Sequence, residues 1–321
     1  MKIHLVTPAN KNDRNGNRAS ALRWAKLLQK QGHKVQVETD YNGEATDLLI
    51  ALHAWRSAGA IERYKTQYPH GPLVVALGGT DVNTNLKTDA EITLRSMKLA
   101  DVLVCLHDLI AAELPLALRS KLRVIYQSAD SLSQRREPRR RTFDVCVIGN
   151  LREEKDPFRS AMAASLLPSD SRIRVIHLGK ATSQEWQDKA QQQMQSSPRY
   201  DWQSEVPRWR VRRELACTRL MVISSVQEGG ANVVSEALVA GVPILASNIS
   251  GNVGLLGDDY PGYFPVGDEC ALADLLHRAE VDAEFMSQLE FACSRLAPKF
   301  KPEHEAHAWG RVIDEIQSLS A

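Results

Sequence analysis

The chain has 321 residues, enough for about two domains, and 43% apolar with 25% charged side chains is an ordinary globular composition. Forty basic side chains against 39 acidic ones leave a net charge of +1. That balance excludes the strong basic bias of a nucleic-acid binder or a membrane-surface protein, so neither nucleic acid nor a membrane is expected as a partner.

In the first half, short apolar runs predict strands at Ile3–Thr7, Lys34–Glu38, Leu48–Leu52, Leu73–Leu77, Val102–Leu106 and Arg123–Tyr126. Helical patterns fall near Arg18–Gln31, Ser57–Tyr68, Asp89–Ala100 and Asp108–Leu118. The first carries Ala21, Leu22, Ala25 and Leu28 at three- and four-residue spacing and stops at Gly32. Strands alternating with helices predict a parallel sheet covered on both faces. Ser131–Thr142 interrupts the rhythm with Arg135, Arg136, Arg139, Arg140 and Arg141 around Pro138. Lacking interleaved aromatics, this run reads as a solvated linker over 132–142 rather than a polyanion site.

A second alternation opens at Asp144–Gly149 and continues with strands at Arg174–Leu178, Leu220–Ser224 and Pro243–Ala246. Its helices are predicted near Pro157–Leu167, Ser183–Gln195, Val206–Cys217, Asn232–Ala240 and Glu269–Ala279, with a last helical stretch at Glu303–Leu319. The expected fold class is therefore α/β, two Rossmann-like domains over 1–131 and 143–302 facing a cleft. Ligands of open α/β sheets bind beyond the carboxyl ends of the strands.

Several absences narrow the chemistry. Met1-Lys2 leads into Ile3-His4-Leu5-Val6, too short for a signal-peptide core, and no window approaches the roughly eighteen apolar residues of a spanning helix. Cys105, Cys146, Cys217, Cys270 and Cys293 are scattered and mostly in apolar segments, so they read as buried free thiols in a reducing cytosol. A cytoplasmic location is expected. There is no metal-ligand cluster, P-loop or nucleophile elbow, and the first loop lacks a full dinucleotide fingerprint. No metal or cofactor is expected, and nothing in the chain points to an oligomeric state.

The most informative segment is Ser224-Ser225-Val226-Gln227-Glu228-Gly229-Gly230-Ala231-Asn232-Val233-Val234-Ser235-Glu236-Ala237. A strand ends, two glycines follow, and a helix begins near Asn232. Glycines allow close backbone approach to a ligand, and free amides at a helix N-terminus favour phosphate. Glu236 falls about one turn beyond Asn232 on the same face, suited to accept hydrogen bonds from vicinal hydroxyls. A helix N-terminus whose acids only favour the dipole is the plainer alternative.

Two glutamates separated by seven intervening residues around a Gly-Gly turn, followed by Ala240-Gly241-Val242-Pro243, resemble the signature of the retaining GT-B glycosyltransferases of family 4. The resemblance implies that Glu236 holds a nucleotide ribose, while Glu228, Gly229, Gly230, Ala231 and Asn232 contact the sugar and diphosphate. It also implies that the last helix, about 303–321, packs back on the first domain.

Gly149-Asn150-Leu151-Arg152-Glu153-Glu154-Lys155-Asp156-Pro157 follows the first strand of the second domain. Arg152 and Lys155 suit a departing diphosphate; a solvated turn pairing them with Glu153 and Glu154 is the alternative. The family usually has arginine where this chain has Asn150 and a lysine matching Lys155; whether Arg152 replaces that arginine is left open by the resemblance. In the first domain, three clusters end strands: Gly16, Asn17 and Arg18; His53 and Arg56; Thr80 and Asp81 after Gly78-Gly79. Each alone is ordinary turn or capping chemistry, but their shared topological position favours an anion or acceptor pocket.

A narrower likeness rests on Gly16-Asn17-Arg18-Ala19, Arg23-Trp24-Ala25, Leu52-His53-Ala54, Gly79-Thr80-Asp81, Leu151–Pro157, Glu228–Asn232 and Ser250–Gly257. These stretches resemble the selenosugar synthases of bacterial selenoneine biosynthesis. That resemblance implies transfer of a hexosyl group from a UDP-sugar, UDP-N-acetylglucosamine or UDP-glucose, to selenophosphate. The alternatives are a family 4 enzyme with another small-molecule or lipid acceptor, and a non-catalytic nucleotide-sugar-binding protein.

Overall fold

The computed structural model describes residues 1–13 and 15–319; Ser320 and Ala321, at the end of the expected C-terminal segment, lie outside the described residues. The strands are β1 Lys2–Val6, β2 Lys34–Glu38, β3 Leu48–Leu52, β4 Leu73–Ala76, β5 Val102–Cys105, β6 Leu122–Val124, β7 Phe143–Ile148, β8 Ile173–Leu178, β9 Tyr200–Trp202, β10 Leu220–Ile223, β11 Ile244–Ser247 and β12 Tyr263–Phe264. The helices are α1 Gly16–Lys30, α2 Ala58–Gln67, α3 Leu86–Thr88, α4 Ala90–Leu99, α5 Ile110–Glu113, α6 Leu116–Arg119, α7 Arg159–Ser165, α8 Gln184–Ser196, α9 Arg208–Cys217, α10 Asn232–Ala240, α11 Ser250–Leu256, α12 Glu269–Val281, α13 Ala283–Leu296 and α14 Pro302–Leu319.

Contacts divide the chain into two compact units. One takes Met1–Ser128, Glu228–Asn232 and the residues from Pro302 on; the other takes Ala129–Gln227 and Val233–Lys301. Each holds a six-stranded parallel sheet, ordered β2-β1-β3-β4-β5-β6 in the first and β12-β11-β10-β7-β8-β9 in the second. In the first, Ile3 of β1 faces Val35 on one side and Leu48 on the other. In the second, Cys146 of β7 faces Met221 and Ile176.

The apolar strands follow from burial on both faces. β3 reads Leu-Leu-Ile-Ala-Leu and is buried throughout. Leu48, Ile50 and Leu52 point into a core with Trp24 and Leu28 of α1 and Trp309, Val312 and Ile316 of α14. Leu49 and Ala51 point the other way, to Ile61 and Tyr64 of α2 and Met97 of α4. The Trp24 and Trp309 rings meet with centroids 5.1 Å apart. α1 starts where the Asn15 side chain accepts the Arg18 amide and stops before Gly32, whose φ of 89° suits glycine.

Four features depart from the sequence expectations. The helix expected over Asp108–Leu118 is two short pieces, because Pro115 lacks an N–H and holds Leu114 extended at ψ 147°. β9, β12, α11 and α13 were not anticipated; the two strands have three and two residues, too short for a period. The arginine-rich stretch is docked in part, with Arg135, Arg140 and Arg141 exposed. Arg139 pairs with Asp144 and Glu214, both fully buried, and Arg136 donates to the carbonyls of Thr218 and Gly241. Finally, all five cysteines are free, but Cys217 is half-buried and Cys270 exposed. Among the described residues, no helix is long and apolar enough to cross a membrane.

Candidate active site

In the second unit the chain runs outward from β7 to β8 and β9, then returns to the other side of β7 as β10. The loops after β7 and β10 therefore part at the carboxyl edge, the point where open sheets bind ligands. Three hydrogen bonds join them. Ser224 Oγ donates to the carbonyls of Lys155 at 3.2 Å and Asp156 at 2.9 Å, and the Val226 amide donates to the Glu154 carbonyl at 3.0 Å. Asp156 closes the tight turn Glu153–Lys155 at φ 41° and binds Arg159 through its carboxylate at 2.8 Å.

Within this loop Lys155 is half-buried and Arg152 exposed. The Arg152 guanidinium lies 3.1 Å from Glu154, one of the pairings weighed from sequence. The loop's root is fixed from below. His177 Nε2 lies 2.9 Å from the Gly149 carbonyl, which only accepts, so Nε2 carries the proton and Nδ1, 2.8 Å away, accepts from the Tyr200 hydroxyl. Burial pushes His177 down to about 4, against the opposing pull of the Gly149 carbonyl. Glu236 is half-buried on α10, one turn after Asn232.

The turn Glu228–Asn232 makes its close contacts within the first unit. Gly229 and Gly79 approach backbone to backbone: a Cβ on Gly79 would lie 2.5 Å from the Gly229 nitrogen. Gly230 has φ 123°, and a Cβ there would lie 2.4 Å from Leu106 Cβ. Asn83 Nδ2 donates to the Glu228 carbonyl at 3.2 Å, and Gln127 Nε2 donates to the Gly230 carbonyl at 3.0 Å. The turn thus crosses the ends of β4, β5 and β6 in order. Two adjacent glycines are required by these approaches.

The three N-terminal clusters emerge at the carboxyl ends of β1, β3 and β4. Gly16 is exposed, Asn17 half-buried, and Arg18 only 9% exposed with Nε and Nη1 buried and unpartnered. Two buried guanidinium nitrogens without acceptors are suited to meet an anion. His53 stands at φ 78°, a left-handed conformation a non-glycine residue adopts only under constraint. The constraint is Asp81, fully buried, which accepts the amides of Ala54, Trp55 and Gly78 at 2.9, 3.0 and 2.8 Å. His53 Nδ1 lies 3.1 Å from the same carboxylate. Burial alone would raise Asp81, but the His53 ring and the Trp55 and Gly78 amides outweigh it and hold it below the usual carboxylate range. Asp81 thus organises the β3 and β4 loops with its own oxygens already engaged. Thr80 presents a buried hydroxyl without a partner, and Arg56 is exposed.

Sequence reasoning missed His177, Gln127 and Asn83, each of which braces a loop through one backbone carbonyl, and the bracing role of Ser224, which uses two. A polar residue near a strand end carries no signal of which carbonyl it reaches.

A family model described as glycosyl transferases group 1 matches residues 129–291, just over half of the chain. A comparison with curated protein sequences finds no match. Among solved structures, Anabaena Alr3699/HepE in complex with UDP-glucose superposes with TM-score 0.78 at 15% identity, covering 98% of this chain and 100% of that one. Sucrose-phosphate synthase from Thermosynechococcus elongatus gives 0.77 at 15% identity, covering 99% of each. A glycosyltransferase from Rickettsia africae gives 0.76 at 12% identity, covering 98% of each. These likenesses extend over both units and carry the GT-B fold; joined to the family match, they mean that the chain belongs to the glycosyl transferases of group 1.

Proposed function

We propose that the protein transfers a hexosyl group from a UDP-sugar, UDP-N-acetylglucosamine or UDP-glucose, to selenophosphate. The observation that carries the donor half is the loop after β10, which leads on in sequence to Gly229-Gly230 and the start of α10 and whose Ser224 and Val226 are hydrogen-bonded to the Lys155 loop. Free amides at that helix start suit a diphosphate. The HepE complex with UDP-glucose, on the same fold, supports the choice of nucleotide.

In this reading Glu236 accepts from the ribose hydroxyls, the amides from Gly229 to Asn232 hold the diphosphate, and Glu228 accepts from the sugar. Lys155 and Arg152 stabilise charge on the departing UDP; Arg152 must first leave Glu154. Gly16, Asn17, Arg18, His53, Arg56 and Thr80 hold the acceptor, with Asp81 fixing the loops that carry His53 and Thr80. Arg18 supports an anionic acceptor most directly, through its two unpartnered nitrogens.

The chemistry balances without a general base, since a selenium anion is already a strong nucleophile. The bond from the anomeric carbon to the UDP oxygen breaks with oxocarbenium character as the carbon–selenium bond forms. UDP leaves with the bonding pair. Water then cleaves the selenium–phosphorus bond, releasing phosphate and the 1-selenosugar. Incubating the protein with selenophosphate and a panel of UDP-sugars, with UDP and product mass followed, tests this. Selenosugar formation is expected; turnover with only oxygen or sulfur acceptors would reassign the enzyme within its family, and UDP-sugar binding without turnover would make it a binding protein.

A further inference from the structure

Arg23 of α1 serves three acceptors at once. Its Nε donates to Glu305 Oε2 at 2.9 Å, Nη1 to Asn232 Oδ1 at 2.9 Å and Nη2 to Gln127 Oε1 at 2.5 Å. Gln127 in turn donates to the Gly230 carbonyl at 3.0 Å, and Ser20 Oγ donates to Gln127 Oε1 at 2.6 Å. Glu305, fully buried on α14, is itself pinned. Its Oε1 accepts from Trp24 Nε1 at 2.8 Å, and its Oε2 accepts from the Ser128 amide at 2.8 Å and from the Ser128 hydroxyl.

The two ends of the glycine turn are thus tied to one guanidinium, Asn232 directly and Gly230 through Gln127. With its charge matched by Glu305, Arg23 adds no free cation; what it contributes is direction, because the planar fork fixes three acceptors in one geometry. We infer that Arg23 is a positioning residue that holds the amides of Gly229 to Asn232 in place before a donor diphosphate arrives. This rests on the reading that the turn binds the donor. Glu305 is the anchor of the device and Gln127 its relay. A lysine at position 23 keeps the charge but cannot serve three acceptors in a plane, so geometry and charge separate cleanly.

The test compares wild type with Arg23→Lys, Arg23→Met and Gln127→Leu by two measurements. The first is the NMR order parameter of the Gly229 and Gly230 amides in the ligand-free protein. In wild type it should stand near the rigid value of about 0.85 and should drop below roughly 0.6 in both Arg23 variants. The second is UDP affinity by calorimetry, expected to weaken roughly tenfold or more in Arg23→Lys and Arg23→Met alike. If Arg23→Met does not fold, Gln127→Leu, which frees only the Gly230 end and leaves the Glu305 pair intact, should still loosen Gly230. Unchanged order parameters in a folded variant overturn the inference, as does full affinity in Arg23→Lys. A wild type that fails to bind UDP overturns the donor reading instead, while the order parameters still judge the holding.

Discussion

In the proposed reading, single side chains divide into those that face a ligand and those that hold the backbone facing it. Glu236 belongs to the first kind. Replacing it with alanine should weaken UDP binding by about 1–3 kcal/mol, since two ribose hydroxyls lose their acceptor, and calorimetry reads the change directly. Lys155→Ala should lower kcat more than it lowers UDP-sugar affinity, because the charge it meets grows as the leaving group departs; equal losses in both would mark it as a simple binding contact. Asp81 belongs to the second kind. Asp81→Asn keeps the shape but loses one acceptor for the three amides it now receives, and should cost about 1–3 kcal/mol in urea unfolding. Its depressed pKa gives the sign of the acid response. The unfolded carboxyl takes up its proton at a higher pH than the folded one, so this stabilisation is present above the normal carboxylate range and is lost as pH falls through the folded value.

Among elements, the glycine turn tolerates little change. Gly79→Ala and Gly229→Ala each press a methyl carbon into the other backbone, at 2.5 and 2.3 Å, with no flexible side chain to yield. Either variant should lose UDP binding while retaining circular dichroism, because the clash lies in loops and not in the strands they leave. Apart from the short β9 and β12, the strands were readable from sequence, because burial on both faces makes runs such as Leu48–Leu52 continuously apolar. The glycine segment was readable because its residues are consecutive. What sequence could not show was pairing at a distance. Arg23 and Glu305 lie 282 residues apart, and no periodicity links an arginine on one helix to a glutamate on another. The helix predicted over Asp108–Leu118 failed for a local reason, Pro115, that apolar spacing alone does not register.

At the scale of the whole molecule, two buried histidines set the acid limit. His177 and His107 are both pushed down to about 4, chiefly by burial, and neither His107 ring nitrogen has a partner. The unfolded chain binds these protons near 6.5 and the folded chain only near 4, so the stability these two groups contribute should fall as pH drops from 6.5 to 4 and then level off. Each histidine accounts for up to about 3 kcal/mol of that fall. Urea midpoints across this window measure it, and His177→Gln should remove about half of the slope. A last consequence comes from α14. The ribosome makes the strands of the first sheet before those of the second, yet Trp309, Val312 and Ile316, which complete one of its cores, follow the whole second sheet. The unit whose strands are made first must wait, with Trp24 lacking its α14 neighbours, until the second sheet has been made. A nascent chain halted before Pro302 should be captured by a chaperone through that uncovered tryptophan.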